Sequence, residues 1–449
     1  MLKFILTLTL TLVCSVVTAN EQLKAYDLNK LYKLAVIHSE SIKIAEENVF
    51  IAKQDKSRAF SVLIPRLTAF GSYTFEDSDQ TASSEPSTAL ATYADLSQTS
   101  DTTSWGLRFD QAFSLNGKEL VALKISKDLI EKSKYDLNAI KNEYLFQVTT
   151  AYYLVLQRAK ANEIDFSNVK RLERHKDSVK ARLELGAVTQ TDMYRAESEL
   201  SDAKSQYIDS ENRLKYSKAI LQSLVELPNG FVLTEPEKQQ AQINTQPLIE
   251  LIETGLLKRP EMRSSNTSYE ISKKNIKLAK SAYWPTVSIA GQYVDNDVTN
   301  DGKYDTEKIE TDIDNTAYSI GASLSFTLFD GGLRRAEIKQ ANAQKRQARL
   351  THESMKKEIK LEIENAYFDV ETQRGKLDAL TDKLKFSRQN FKAVSEQFKH
   401  GLSNSIDMMD ANNILVSAER ELSTSKYRYK LSSLKLKNTT GTFLDEIGL

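Results

Sequence analysis

The chain repeats itself once, and this duplication limits its fold more than any other feature. Gly186-Ala187-Val188-Thr189-Gln190-Thr191-Asp192-Met193 lines up with Gly401-Leu402-Ser403-Asn404-Ser405-Ile406-Asp407-Met408 at a shift of 215 residues. The same shift carries Ala151-Tyr152-Tyr153 onto Ala366-Tyr367-Phe368, and Gly106, Phe109 and Phe113 onto Gly321, Leu324 and Leu328. Upstream, Pro65, Leu67, Gly71 and Tyr73 match Pro285, Val287, Gly291 and Tyr293 at a shift of 220, as unequal loops between strands would produce.

Each half reads in the same order. A helical segment ends at Pro65 or Pro285, where a residue without an N–H and with fixed φ stops it. Two alternating segments separated by a polar loop follow, and beyond Gly117 or Gly332 a very long helical run begins. Lys118 to Leu185 contains neither glycine nor proline, which as helix extends about 100 Å at about 1.5 Å per residue. Leu333 to His400 does the same, interrupted only by Gly375. The runs turn at Gly186 and Gly401 into return helices of about 40 residues. With 15 glycines and 7 prolines in 449 residues, breakers are too scarce for the compact domains this length would otherwise hold. Helices so long and polar are expected to pack side by side as coiled coil.

The alternating segments have the pattern of membrane-crossing strands. Leu67, Ala69, Gly71, Tyr73 and Phe75 share one face, opposite Arg66, Thr68, Phe70, Ser72, Thr74 and Glu76. Trp105, Leu107, Phe109, Phe113 and Leu115 oppose Arg108, Asp110, Ala112 and Ser114. Val287, Ile289 and Tyr293 oppose Ser288, Ala290 and Gln292, while Tyr318, Ile320, Ala322, Leu324, Phe326 and Leu328 oppose Ser319, Ser323, Ser325 and Thr327. Runs of about 11 residues cross a bilayer at a tilt of about 45°. Trp105 and Trp284 are expected at strand ends, in an aromatic belt. Four strands cannot close a barrel, and open edges in lipid leave backbone groups unpaired, so several chains must share one barrel.

The first residues read as an export signal: Lys3, an apolar stretch from Phe4 to Val17, and Val17-Thr18-Ala19 as a cleavage box. The only cysteine, Cys14, lies inside it, so the mature chain is expected to have no thiol chemistry. The 61 basic and 61 acidic side chains balance, which gives no electrostatic case for nucleic acid as partner. The expected division is 1–19 signal peptide, 20–227 first repeat, 228–247 equatorial linker, 248–440 second repeat and 441–449 C-terminal tail.

The junctions at Pro65 and Pro285, the turn Phe329-Asp330-Gly331-Gly332, the Ala151-Tyr152-Tyr153 and Ala366-Tyr367-Phe368 pair, and the tip turns at Gly186 and Gly401 together resemble the TolC-like outer-membrane efflux proteins. The resemblance spans essentially the whole mature chain. It implies a mainly α fold with membrane β: a homotrimer whose four strands per chain form a 12-stranded barrel in the outer membrane, continued by an α-helical tunnel into the periplasm. It implies docking onto a periplasmic adaptor and an inner-membrane transporter, and a role as passive exit duct for efflux or type I secretion. In that family the second-repeat aspartates face the tunnel axis, which implies an aperture at Asp407 and Asp410, with Asp192, Phe398 and Ser403 beside it. Where the family carries an arginine and a tyrosine as a polar latch, this chain has Ser403 and Phe398. Arg182, Gly186 and Gly401 match the adaptor-contacting tips.

A competing reading of Asp192 and Asp407 is local: a carboxylate in the first turn complements the helix dipole, with Thr189, Thr191 or Ser405 as caps. Asp410 stands one turn beyond Asp407 on the same face, too far in for capping. His38, His175, His352 and His400 are isolated and lack metal-ligand spacing, and neither a phosphate loop nor a nucleophile motif occurs, so neither enzyme, cofactor nor metal is read here. The loops Glu76 to Ser104, with six acids and no base, and Asp295 to Ala317, with eight acids and two lysines, are expected to make either a negative channel mouth or simply a soluble surface. The rival class is a soluble periplasmic coiled-coil adaptor. It should have one hairpin flanked by small β domains, whereas here there are two, with the strands at the far end of the long helices.

Overall fold

The computed structural model describes residues 25–81, 95–235, 246–304 and 307–447, so the export segment lies outside the described residues. In chain order the first half comprises β1 (Ala25–Tyr26), α1 (Leu28–His38), α2 (Glu40–Ser61), β2 (Arg66–Thr81), β3 (Asp95–Ser114), α3 (Lys118–Glu184) and α4 (Gln190–Val225). After β4 (Val232–Leu233), the second half comprises α5 (Leu248–Lys258), α6 (Pro260–Lys280), β5 (Thr286–Tyr304), β6 (Glu307–Ser325), α7 (Leu333–Lys399) and α8 (Ser405–Thr439), and α9 (Phe443–Ile447) ends the chain. Both long helices run 67 residues, as their lack of breakers predicts. Each starts at a left-handed glycine, Gly117 or Gly332, which lets the strand turn sharply into the helix. At the second corner the Asp330 carboxylate accepts from Gly332 N at 3.0 Å and from Arg334 Nε at 2.7 Å, which fixes the turn.

The four long strands form one antiparallel sheet in the order β2-β3-β5-β6. Directly opposed residues share a face, and the register places all four apolar sets on the same one. Leu67 faces Phe109 and Ala69 faces Leu107; Leu107 faces Tyr293 and Phe113 faces Val287; Gly291 faces Ile320 and Val287 faces Leu324. Among the described residues β2 and β6 each pair on one side only, so both sheet edges are open.

The strands are longer than their apolar segments. They run 16, 20, 19 and 19 residues, so much of the two expected acidic loops is strand, and Phe326 and Leu328 fall beyond the end of β6. The ladder to the neighbouring strand holds these Asp-, Thr- and Asn-rich stretches extended despite their low strand propensity. Trp105 therefore sits in mid-strand, not at a strand end. Its ring meets Tyr293 at 5.5 Å, and Tyr293 meets Tyr318 at 5.1 Å, forming an aromatic row across three strands. Trp284 stands two residues before β5, at the other end of the sheet. Trp105 is opposite Asp295, so about eleven residues of β5 separate the two tryptophan levels. That is about 36 Å of strand, or about 25 Å of height at a tilt of about 45°, the height of an outer-membrane apolar band.

Beyond the aromatic row the charges take sides. Asp295, Asp297 and Asp301 continue the face of the apolar band, opposite Thr316, Asp314 and Glu310. The other face carries Val294, Asn296, Val298 and Asn300 against Ala317, Asn315, Ile313 and Thr311. These five carboxylates thus stand on the face of the apolar band, while Glu76, opposite Ser100, stands on the other.

The main core lies where the short helices meet α3 and α4. Leu31, Tyr32, Leu145, Val148, Tyr152, Leu221 and Val225 are buried together. The expected linker is partly built into this core: Phe231 is buried, and β4 pairs in parallel with β1. The expected tail is not loose either. Phe443 is 1% exposed and meets the rings of Tyr32 and Phe146 edge-on, each at 6.0 Å, so the end of the second half is keyed into the core of the first.

Candidate functional site

The site of interest is the end of the molecule farthest from the sheet, where both helical hairpins turn. The two turns are built alike. Gly186 and Gly401 adopt left-handed φ of 71° and 75°. Ala187 N donates to Arg182 O at 2.9 Å, and Leu402 N donates to Gln397 O at 2.8 Å, closing the ends of α3 and α7. Each return helix then opens with a capping box. Thr189 N donates to Asp192 Oδ2 at 3.0 Å while Asp192 N donates to Thr189 Oγ1 at 3.3 Å. In the second turn Asp407 N donates to Asn404 Oδ1 at 2.9 Å, and its carboxylate accepts from Asn404 N at 3.4 Å and Ser403 Oγ at 3.2 Å.

These bonds give Asp192 and Asp407 the local work of capping. The backbone N–H of Thr189, and then its hydroxyl, hold Asp192 below the usual carboxylate range. Of the expected caps only Thr189 serves. Thr191 does not, and Asn404 takes the place expected of Ser405; the sequence signal was a capping residue three positions before the acid. Thr189→Ala and Asn404→Ala should each cost about 1 kcal/mol of local stability, seen as faster amide exchange at Asp192 and Asp407; unchanged exchange would remove the boxes from the tip's stability. Asp410 is exposed beyond the cap.

Phe398, expected beside the aperture, is instead 4% exposed and packs among Val179, Met193 and Ala196. A ring already enclosed within one chain cannot line an opening between chains. The Arg182 guanidinium lies 4.3 Å over this ring, and its Nη2 donates to Lys399 O at 2.8 Å. Arg182 therefore ties the first hairpin to the second. Between the turns lies a cleft of about 480 Å³ lined by Arg182, Val188, Asp192, Leu402, Ser403 and Asp407. Leu185 and Leu402, which the sequence reading did not single out, project beside the turn glycines at 83% and 79% exposure.

Away from the tip, α3 meets α8 along a polar seam. Arg420 Nε donates to Asp165 Oδ1 at 2.8 Å, Asn412 Nδ2 to Asn168 Oδ1 at 2.8 Å, and Arg171 Nε to Asn412 Oδ1 at 3.1 Å. Arg171 also pairs with Glu419 at 3.3 Å. By contrast, α3 packs on α4 through Val169, Leu172, Leu200 and Ala203. Along this stretch the first hairpin is held internally by apolar burial and joined to the second by directional polar bonds, whereas at the tip Phe398 adds an apolar contact between them. Among the described residues no group of three or more His, Cys, Asp or Glu side chains could hold a metal ion, and no helix is long and apolar enough to cross a membrane.

Comparison with known proteins places this architecture. Residues 251–442 match the family model described as outer membrane efflux protein. The chain is 22% identical over 391 residues to the outer membrane protein TolC of Vibrio cholerae serotype O1, covering 86% of this chain and 84% of that protein. It is 23% identical over 275 residues to the alkaline protease secretion protein AprF of Pseudomonas aeruginosa, covering 60% and 55%. Its fold superposes on the crystal structure of the outer membrane protein VceC from Vibrio cholerae with a TM-score of 0.74 at 16% identity, over 92% of this chain and 96% of that one.

Proposed function

We propose that this chain is a TolC-like outer membrane factor, an outer-membrane exit duct for efflux or type I secretion, and that three copies close one twelve-stranded barrel above a common helical tunnel. The observation that carries this reading is the four-stranded sheet with an apolar face and two open edges. In lipid each unpaired backbone group costs several kcal/mol, and β6 of one copy runs antiparallel to β2 of the next, so edge pairing removes the cost. The helices carry a matching need. Ile37, Ile44 and Ile51 stand exposed at seven-residue spacing on α1 and α2, and Leu350, Leu361 and Phe368 stand exposed on α7. Neighbouring copies packed side by side as coiled coil cover such stripes.

Extracted in mild detergent, the protein should run as a trimer with far-ultraviolet circular dichroism dominated by helix. A monodisperse monomer in detergent, or release from membranes by salt or carbonate alone, would sink the barrel.

At the periplasmic end, threefold symmetry gathers Asp407 and Asp410 near the axis, with Ser403 holding the Asp407 carboxylate. Asp192 caps its own hairpin beside them. The duct is passive, and a periplasmic adaptor and an inner-membrane transporter supply contact and energy. Gly186, Gly401 and the exposed leucines next to them present the turns to the adaptor, while Trp105 and Trp284 mark the two levels of outer-membrane lipid. Like charges gathered at a narrow opening attract cations, so multivalent cations should block conductance from the periplasmic side. Asp410→Ala should weaken the block at unchanged thermal stability, and Asp407→Ala should weaken block and tip stability together because it also breaks a capping box. Unaltered block by a trivalent cation in both variants would remove the acidic ring.

A further inference from the structure

We propose that His175 is an acid-sensitive latch between the two hairpins of each chain, and that its protonation releases the tip. The inference rests on the exit-duct reading and adds a control to it. His175 is 5% exposed, held between α3, α7 and α8. Its Nε2 lies 3.1 Å from Oγ of Ser405, the buried first residue of α8, and its ring centroid lies 5.1 Å from that of Phe398 in the last turn of α7. One ring thus touches both helices of the second hairpin at the point where Arg182 holds it to the first.

The charges around it oppose a proton there. From its own helix, Arg182 lies toward the tip, stacked on the far partner, Phe398, while Arg171, toward the sheet, is paired with Glu419 of α8. The N-terminus of α8 presents its positive end at Ser405. Lys399, at the end of α7, is engaged by Glu396 at 2.7 Å. The two carboxylates at the tip are committed elsewhere: Asp407 on α8 to Ser403 and Asn404, and Asp192 on α4 to Thr189. Burial, and then the Arg182 charge, push the imidazole below its ordinary range.

The direction of the linkage follows. The closed tip binds the proton less readily than an opened tip in which water reaches the ring. Closure is therefore fully supported above the ordinary histidine value and weakens as pH falls below it. Each unit by which closure lowers the histidine biases that chain about tenfold toward opening in acid.

The test is single-channel conductance of the purified full-length oligomer in planar bilayers, stepped from about pH 7.5 to about pH 5.5, above the range where ordinary carboxylates titrate. The wild type should rise several-fold and reversibly on acidification. His175→Gln, which keeps a hydrogen-bonding side chain but cannot titrate, should stay at the neutral value throughout. A flat wild-type profile, or an equal acid rise in His175→Gln, overturns the latch. Should that variant fail to assemble, Ser405→Ala removes the ring's partner without touching the ring. Its acid rise should begin at higher pH, and an unshifted profile overturns the proposal. Failure of the wild type to form any conducting channel would instead overturn the duct reading, before histidine enters.

Discussion

Ile320→Arg is expected to block assembly of the protein into membranes, while Ser319→Arg, one residue away, assembles normally. Ile320 is opposite Gly291 in the sheet, inside the band between the Trp284 and Trp105 levels, and its side chain belongs to the apolar face. An arginine at the midplane on the lipid side of a barrel costs about 2–4 kcal/mol per chain, and the cost falls to about 0–1 kcal/mol near the interfaces. Ser319 is opposite Gln292 on the other face, where a charge meets water. The same substitution at Leu324, opposite Val287 on the same face, should impair assembly comparably, because it lies about as far from the Trp284 level as Ile320 does from the Trp105 level. Heat-modifiable trimer in membrane fractions measures all three. Equal assembly of Ile320→Arg and Ser319→Arg would refute the assignment of faces, as would normal assembly of Leu324→Arg.

What was legible in the sequence and what was not divide along physical lines. The long helices were readable because nothing interrupts them: α3 begins at Lys118 and α7 at Leu333, each just past a glycine. The strand faces were readable because alternation needs no partner to be seen. The strand lengths were not, since Asp295 to Tyr304 has a loop's composition and only the ladder to β3 and β6 makes it strand. Tip chemistry was half readable. A carboxylate after a glycine turn announced capping, but choosing Asn404 over Ser405 depends on a three-residue offset that Ser405 misses while facing His175. The burial of Phe398 was invisible, because it arises where α7 crosses Val179 and Arg182 of a helix more than two hundred residues earlier. His175 looked isolated for the same reason: its partners come from the other repeat.

The duplication itself supplies the sharpest steric test. Gly106 and Gly321 are equivalent positions in the two halves, yet their surroundings differ. A Cβ on Gly106 would lie 2.2 Å from the backbone oxygen of Tyr293 and 2.8 Å from Cζ of Phe70, whereas a Cβ on Gly321 would meet nothing within 4 Å. The Phe70 ring could swing aside, but the Tyr293 carbonyl belongs to β5, and moving it means separating β3 from β5. That seam is the one that joins the hairpin of the first half to that of the second. Overpacking costs about 1–3 kcal/mol where side chains can adjust, and more where backbone must move. Gly106→Ala should therefore lie at or above the top of that range and strongly reduce assembled protein, while Gly321→Ala should assemble as the wild type does. Adding Phe70→Ala to Gly106→Ala separates the two obstacles. If the double variant regains wild-type assembly, the aromatic ring was the obstacle and the β3–β5 seam has slack. If it does not, the seam itself is what the missing side chain at Gly106 protects.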